Sequence, residues 1–486
     1  MGIRTGAEVL GALRDGREVF IDGERVGDVT KDRRFAGAAR SLARLYDMQH
    51  EAELQPRMTY RSPSSGARVG LSFIEPGTRE DLAARRGMMK LWHDETLGMM
   101  GRAPDFMNVL VSSFAAGAEH FGQYAQNIRA YCDFIREGDL VLTHSLTNPQ
   151  VDRSKNVAAQ AKDLAVKAVK ETDAGIIVRG ARMLATLGAL ADEILVFSAP
   201  SYALPQTEEA RPYALGFMLP VATKGMRLIC RPSVMHQSGT PLLDHPLSSR
   251  FDESDCMVVF DDVLVPWERV FCYRDITVHN TVYATTGTRL AIQQQTATRD
   301  LAKAEFMMGL AFTVARTTKV DEFLHIQGLL CDIINDVEML RACLAAAEAE
   351  CRPMPHGLMV PAGGPLTAMR FLFPQMYKRA CEAIQVIGAG GLVMVPSFAE
   401  FAGPASADVE AYAQAAGADA RSRVKLFRLA SDAVLSSFSG RQQLYERYFA
   451  GDPVRTAQAV YHGYDKEPHV ERIWRLLDQF EKEAKD

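Results

Sequence analysis

The chain has 486 residues, 47% hydrophobic and 24% charged, enough for a large core that would divide into roughly two or three subdomains. Its 60 acidic and 55 basic residues are interspersed and sum to a net charge of −5, which leaves no basic footprint for nucleic acid or an anionic membrane. No stretch approaches the roughly 20 apolar residues of a membrane span, and MGIRTGAEVLGALRDGREVF breaks every apolar run with Arg, Glu or Asp, unlike a secretory leader, so a cytoplasmic location is expected.

From about Glu80 to Glu137, Met, Leu, Phe and Ala recur at three- and four-residue spacing, interrupted around Gly101 to Pro104. This predicts a helical N-terminal layer in which Pro104 takes the first turn of a new helix and Asp105 its positive end. Between about Leu140 and Tyr273 the text changes to short β-branched runs punctuated by Gly and Pro: DLVLTHSL, AGIIVRGARML, DEILVFS, GFMLPVAT and MRLICRPS. DCMVVFDDVLVPWERVF reads as two strands about a DD turn. From about Thr286 onward, patterns such as TRDLAKAEFMMGLAFTVART and HIQGLLCDIINDVEMLRACLAAAEAE predict long helices of an antiparallel bundle, jointed at CRPMPHGLMVPAGGP and VIGAGGLVMVPS. The expected units are residues 1–139 (helical), 140–278 (β domain) and 279–486 (helical bundle).

The eight cysteines are dispersed, with no CxxC pair and no His at zinc-like spacing, so neither a disulfide framework nor a metal site is expected. No GxGxxG joins a strand to a helix, and Gly388, Gly390 and Gly391 stand in GAGG between helices, so an intrinsic nicotinamide site is not expected either. In HPLSSRFDESD, an Asp, a His and two Ser residues lack the GxSxG elbow of a hydrolase and read as structure at the rim of the β unit.

Seven blocks carry a resemblance: FIDGERVGDVTKDRRFAGAARSLARLYD, GRAPDFMN, THSLTNPQVDRS, GARMLATLGALADE, HPLSSRFDESDCMVVFDDVLVPWERVF, QVIGAGGLVMVPS and LYERYFAGDPVR. In their order, and over nearly the whole chain, they resemble the oxygenase components of the 4-hydroxyphenylacetate 3-monooxygenase family. The resemblance implies an acyl-CoA-dehydrogenase-like fold, mainly α with a central β domain (N-terminal helices, a middle β barrel at residues 140–278 and a C-terminal helical bundle), assembled as a homotetramer. It implies FAD, arriving as FADH2 from a separate NAD(P)H:flavin reductase, and O2 as co-substrate. The implied reaction is hydroxylation of a phenolic or related aromatic, ortho to a hydroxyl, through a flavin hydroperoxide.

Residue by residue, the resemblance places Arg102 and His144 in catalytic and substrate-binding roles. Arg102 would stabilise negative charge on substrate or peroxide, and His144 would bond the substrate hydroxyl and accept its proton. By themselves, an Arg before a helix is more often a surface cation and a His on a strand more often a structural residue. Phe106 stands where the family commonly has Tyr, Ala199 where a hydroxyl residue is common, and Gln294 where halophenol hydroxylases carry a His. With Ser198 these line the substrate. The three departures imply a less polar pocket and argue against dehalogenation, since Gln cannot act as a base. Flavin contacts are implied for His144, Ser145, Leu146, Gln150, Val151, Asp152, Arg153 and Thr186, and for Gly451, Asp452, Pro453 and Val454, where a plain Gly-Pro turn is an equal reading.

The alternatives are a hydroxylase of a non-phenolic aromatic in a biosynthetic pathway and an acyl-CoA-dehydrogenase-like flavoenzyme, which would need a carboxylate base that no motif identifies. An iron–sulfur dehydratase of the same fold would need a Cys near Arg102 and a His at position 294.

Overall fold

The computed structural model describes residues 2–149, 151–160, 164–197, 199, 203–235, 241–449 and 451–485. The predicted N-terminal periodicity forms three helices, Arg79–Glu95, Pro104–Ala116 and Ala125–Gly138. Thr78 caps the first through a capping box with Asp81, and Pro104 opens the second with Asp105 in its first turn. A second break, Ala118–Tyr124, is a 3₁₀ segment kinked at Gly122, which the periodicity did not announce.

The central strands form two open sheets. The first, of six strands, runs in the order Glu24–Arg25, Val19–Ile21, Met226–Cys230, Asp255–Pro266, Gly175–Thr186, Lys167–Thr172. The second, of four, runs Val270–Tyr273, Leu215–Pro220, Glu193–Val196, Leu142–Ser145. The acyl-CoA-dehydrogenase-like class is as expected, whereas the closed barrel is not. Among the described residues the outer strands of each sheet do not pair with one another, so neither sheet closes. Residues 19–25 supply two of the six strands although they lie early in the chain.

A second correction concerns DCMVVFDDVLVPWERVF. Asp255–Pro266 is one strand, and Asp261 and Asp262 form a bulge where the register shifts between Phe260 and Val263. Asp262 takes φ +51°, a left-handed conformation Asp tolerates. Both carboxylates point to solvent, Asp262 towards Arg179 and Asp261 towards Arg227. A turn reading requires the chain to reverse, and here it only kinks.

The C-terminal bundle is built on Thr288–Thr318, 31 residues long, with Leu324–Ala349 and Gly363–Gly388 packed along it. The Arg79 and Pro104 helices rest on the same long helix, so it carries both the bundle and the floor of the site described below. GAGG terminates the Gly363 helix, and a Cβ at Gly391 would lie 2.7 Å from the Phe427 ring. It is a close-packing joint. No helix among the described residues is long and apolar enough to cross a membrane.

Candidate active site

Arg102 sits in the turn before the Pro104 helix, held at both ends of the residue. Its backbone N–H donates to Glu253 Oε1 at 2.6 Å, and its Nη1 donates to Gly101 O at 3.2 Å and to Tyr445 Oη at 2.8 Å. Tyr445 explains Gly101, since a Cβ there would lie 2.1 Å from the tyrosine oxygen. The guanidinium lies 4.3 Å from the Phe106 ring centre and 4.6 Å from that of Phe449, so a buried cation faces two aromatic surfaces. Burial lowers its pKa, opposed by Tyr445 and Glu253. Its Nε has no hydrogen-bond partner among the described residues.

His144 lies on Leu142–Ser145, opposite Leu195 of the parallel strand Glu193–Val196. Its ring centre is 5.3 Å from that of Phe106. It is buried, and among the described residues neither Nδ1 nor Nε2 has a partner. Burial first and the Arg102 charge second hold its pKa well below 6.5, so the imidazole is neutral at physiological pH. A neutral imidazole offers one donor and one acceptor, and both are uncommitted here.

Behind this pair the helix Ser437–Phe449 is docked by ions. Arg441 donates to Asp255 at 2.8 and 3.1 Å and to Glu253 Oε2 at 3.3 Å. Burial alone would raise the Asp255 carboxyl, but Arg441 and Arg231 hold it well below the usual carboxylate range. Arg299 pairs bidentately with Glu446 at 2.7 and 2.6 Å, and Lys303 Nζ reaches the same carboxylate. Tyr445 stacks on Phe449 at 5.0 Å. Glu253 and Tyr445, on which Arg102 depends, were not singled out by the sequence reading. Their only signal was membership of the blocks HPLSSRFDESD and LYERYFAGDPVR.

The residues proposed for flavin occupy three places. Ser145 donates to Met183 O at 2.9 Å, and Thr186 donates its hydroxyl proton to Asp255 Oδ1 at 2.7 Å, leaving its oxygen as an acceptor. Between them Leu184 is exposed at φ +68° beside the bulge near Cys256, an apolar side chain held out from the strand. Val151, Asp152 and Arg153 lie in the loop after Leu142–Ser145, where Asp152 O accepts from Gln160 Nε2 at 2.8 Å. Gly451, at φ +106°, leads into the helix Pro453–Gly463, whose N-cap is the Asp452 carboxylate. GDPV is thus a capped helix start. Arg370 Nη2 lies 3.3 Å from where a Gly451 Cβ would sit, and Arg289 repels it. Two neighbouring guanidiniums with no ion-pair partner among the described residues suit a phosphate-bearing ligand. The uncommitted oxygen of Thr186, the exposed Leu184 and this pair fit a flavin nucleotide.

Gln294 does not join Arg102, Phe106 and His144. Its Nε2 donates to Glu348 Oε1 at 2.9 Å and its Oε1 accepts from Arg85 at 3.4 Å. The neighbouring Gln295 is the residue that reaches the Pro104 helix, donating to Asp105 Oδ2 at 3.1 Å beside the buried His93–Asp105 pair. One residue along a helix rotates a side chain by about 100°, which motif alignment alone cannot detect. Ala199 donates its backbone N–H to Leu146 O at 3.3 Å. Ser198 and Gln150 lie outside the described residues. A cavity of about 730 Å³ lined by Tyr124, Arg211, Arg274 and Asp275 contains none of these groups. The chemistry, rather than that volume, marks the site.

Family models described as 4-hydroxyphenylacetate 3-hydroxylase N terminal and C terminal match residues 5–272 and 279–478. The 4-hydroxyphenylacetate 3-monooxygenase oxygenase component of Thermus thermophilus is 44% identical, over 98% of both chains. A solved structure of such an oxygenase component, complexed with FAD and 4-hydroxyphenylacetate, is 43% identical with a TM-score of 0.94, covering 99% of each chain. A glutaryl-coenzyme A dehydrogenase, 11% identical at a TM-score of 0.54 over 94% of this chain and 93% of its own, shares the fold.

Proposed function

The chain belongs to the 4-hydroxyphenylacetate 3-hydroxylase family, and on that premise we propose that it is the FAD-dependent oxygenase component of a two-component monooxygenase. Its reaction is hydroxylation of a phenol next to the ring hydroxyl. The observation that carries this reading is the buried, neutral His144 with both ring nitrogens uncommitted, beside a buried arginine and an aromatic wall. Reduced flavin, when bound, supplies the electrons with which O2 delivers one oxygen atom to the ring.

This chain's residues prepare the ring. His144 accepts the phenol proton and so raises the electron density of the carbon beside the hydroxyl. Arg102, kept in place by Tyr445 and Glu253, holds negative charge on the substrate oxygen. Phe106, Phe449 and the rings of Phe114, Phe197 and Tyr283 exclude water. The flavin would rest against Ser145, Leu146 and Thr186, with its phosphates towards Arg289, Arg370 and Gly451. The flavin-reductase partner, a homotetrameric assembly, a cytoplasmic location and the division at residues 139/140 and 278/279 are parts of the same proposal.

Supplied with reduced FAD and oxygen, the purified chain is expected to convert 4-hydroxyphenylacetate to its catechol, with product approaching the flavin oxidised. Flavin oxidation that yields only hydrogen peroxide for every phenol tried would sink the reading. A larger or less polar aromatic is a second reading of the substrate, favoured by Phe106 and Ala199. The two are separated by Phe106→Tyr, which returns a hydroxyl to the ring facing His144. For a simple phenol the variant is expected to lower KM about 2- to 10-fold, the worth of one added hydrogen bond. An unchanged or higher KM would favour the bulkier substrate.

A further inference from the structure

Arg182, on the strand Gly175–Thr186 opposite Val258, is buried with its Nε and Nη1 unpartnered, and no hydrogen bond or ion pair is found for it among the described residues. Burying an unpaired cation is costly, and folds retain one only where something compensates it. Burial lowers its pKa to about 10, so the charge persists at neutral pH. Arg85 is also buried with Nε and Nη1 unpartnered among the described residues, but its Nη2 donates to Gln294, which links it to Glu348.

The surroundings of Arg182 are those of a ligand pocket. It lies within electrostatic reach of Tyr283 and His279, and Tyr283 also feels Arg102. Tyr283 Oη and His279 Nε2 are buried and, among the described residues, unpartnered as well. Tyr283 packs edge-on against Phe114 at 5.1 Å and Phe197 at 5.7 Å, and His279 stacks on Phe197 at 5.4 Å. Phe197 immediately precedes the substrate-lining candidates Ser198 and Ala199, and Met183, next to Arg182, donates to Thr147 O at 2.8 Å just beyond His144 on the chain. Around the aromatic wall the unsatisfied polar atoms thus include those of Arg102 and His144 and those of Arg182, Tyr283 and His279, with Tyr283 within electrostatic reach of both guanidiniums.

We infer that Arg182, assisted by Tyr283, is a specificity-determining residue that binds an anionic substituent on the ring of the substrate, at the end opposite the hydroxyl held by His144. This rests on the monooxygenase reading. A carboxylate would supply acceptors for the free N–H groups and neutralise the buried cation, giving charge-assisted hydrogen bonds. An uncharged phenol would leave Arg182 uncompensated, which discriminates against it.

The test is binding without turnover. Anaerobic protein loaded with reduced FAD is titrated calorimetrically with 4-hydroxyphenylacetate and with its neutral isostere 4-hydroxyphenylacetamide. Wild type is expected to prefer the acid at least about tenfold, Arg182→Met to lose at least tenfold for the acid while holding the amide within about threefold, and Arg182→Lys to keep part of the preference. The thermal midpoint of ligand-free Arg182→Met is expected to stay level or rise, because a buried unpaired charge has gone. Equal losses for acid and amide, weaker flavin binding with phenol binding unchanged, or a lowered midpoint would overturn the inference. Failure of the monooxygenase reading shows separately, as absent hydroxylated product in aerobic wild type even where the preference for the acid persists.

Discussion

In His144→Ala, hydroxylated product per flavin oxidised is expected to fall by about 10²-fold or more, the usual worth of a positioned general base. Flavin affinity is expected to change far less, because the imidazole faces Phe106 and makes no hydrogen bond that holds its own strand. Electrons and oxygen are then still consumed, with hydrogen peroxide as the product. The pH dependence has a definite sign. Burial and Arg102 lower the His144 pKa, so the base form survives acidification below 6.5, and wild-type coupling is expected to hold from pH 8 to 6. The check is product and peroxide measured together across that range. Equal product yield in variant and wild type would remove His144 from the chemistry, and coupling lost in wild type between pH 7 and 6 would show that its imidazole is not held neutral.

Glu446→Ala is expected to cost about 3–5 kcal/mol of folding stability, read as a fall in denaturant midpoint, because it takes from Lys303 its ion-pair partner and leaves two buried cations, Arg299 and Lys303, with Asp300 as the one carboxylate beside them. All three side chains are buried, so solvent cannot substitute. Burial alone would raise the Glu446 carboxyl, yet Arg299 and Lys303 bring it down to about 2. A carboxylate with a depressed pKa stabilises the fold above its unfolded value near 4.3 and loses that contribution as pH falls towards 2. The wild-type advantage over the variant is therefore expected to shrink in that window. The effect reaches the site because Glu446 neighbours Tyr445, whose hydroxyl accepts from Arg102. Coupling is accordingly expected to fall even under conditions where the variant is fully folded. A variant as stable as wild type would show that the cluster is compensated some other way.

How much of this was legible beforehand follows from the range over which each feature is encoded. The 3.6-residue period of apolar positions announces Thr288–Thr318 and Leu324–Ala349, and short β-branched runs bounded by Gly and Pro announce the central strands, because each pattern is written in consecutive residues. The motifs name Arg102, Phe106 and His144 separately, and the fold brings them together. The DD bulge was misread because a bulge and a turn use the same residues, and only the partner strand decides between them. For a similar reason the motif names Gln294 but leaves open which neighbouring helix it faces, and the fold turns it towards Arg85 and Glu348.

The sequence by itself determined the fold class, the family and the pairing of a buried arginine with a strand histidine, since these reside in local periodicity and short blocks. Only the tertiary structure decided what holds and completes that pair. Tyr445 meets Arg102 across 343 residues and Glu253 across 151, and Arg182 stands out because, among the described residues, no partner reaches its Nε and Nη1. Contacts at such separations depend on how sheets and helices close on one another, and a missing partner can be recognised only once every neighbour is in place.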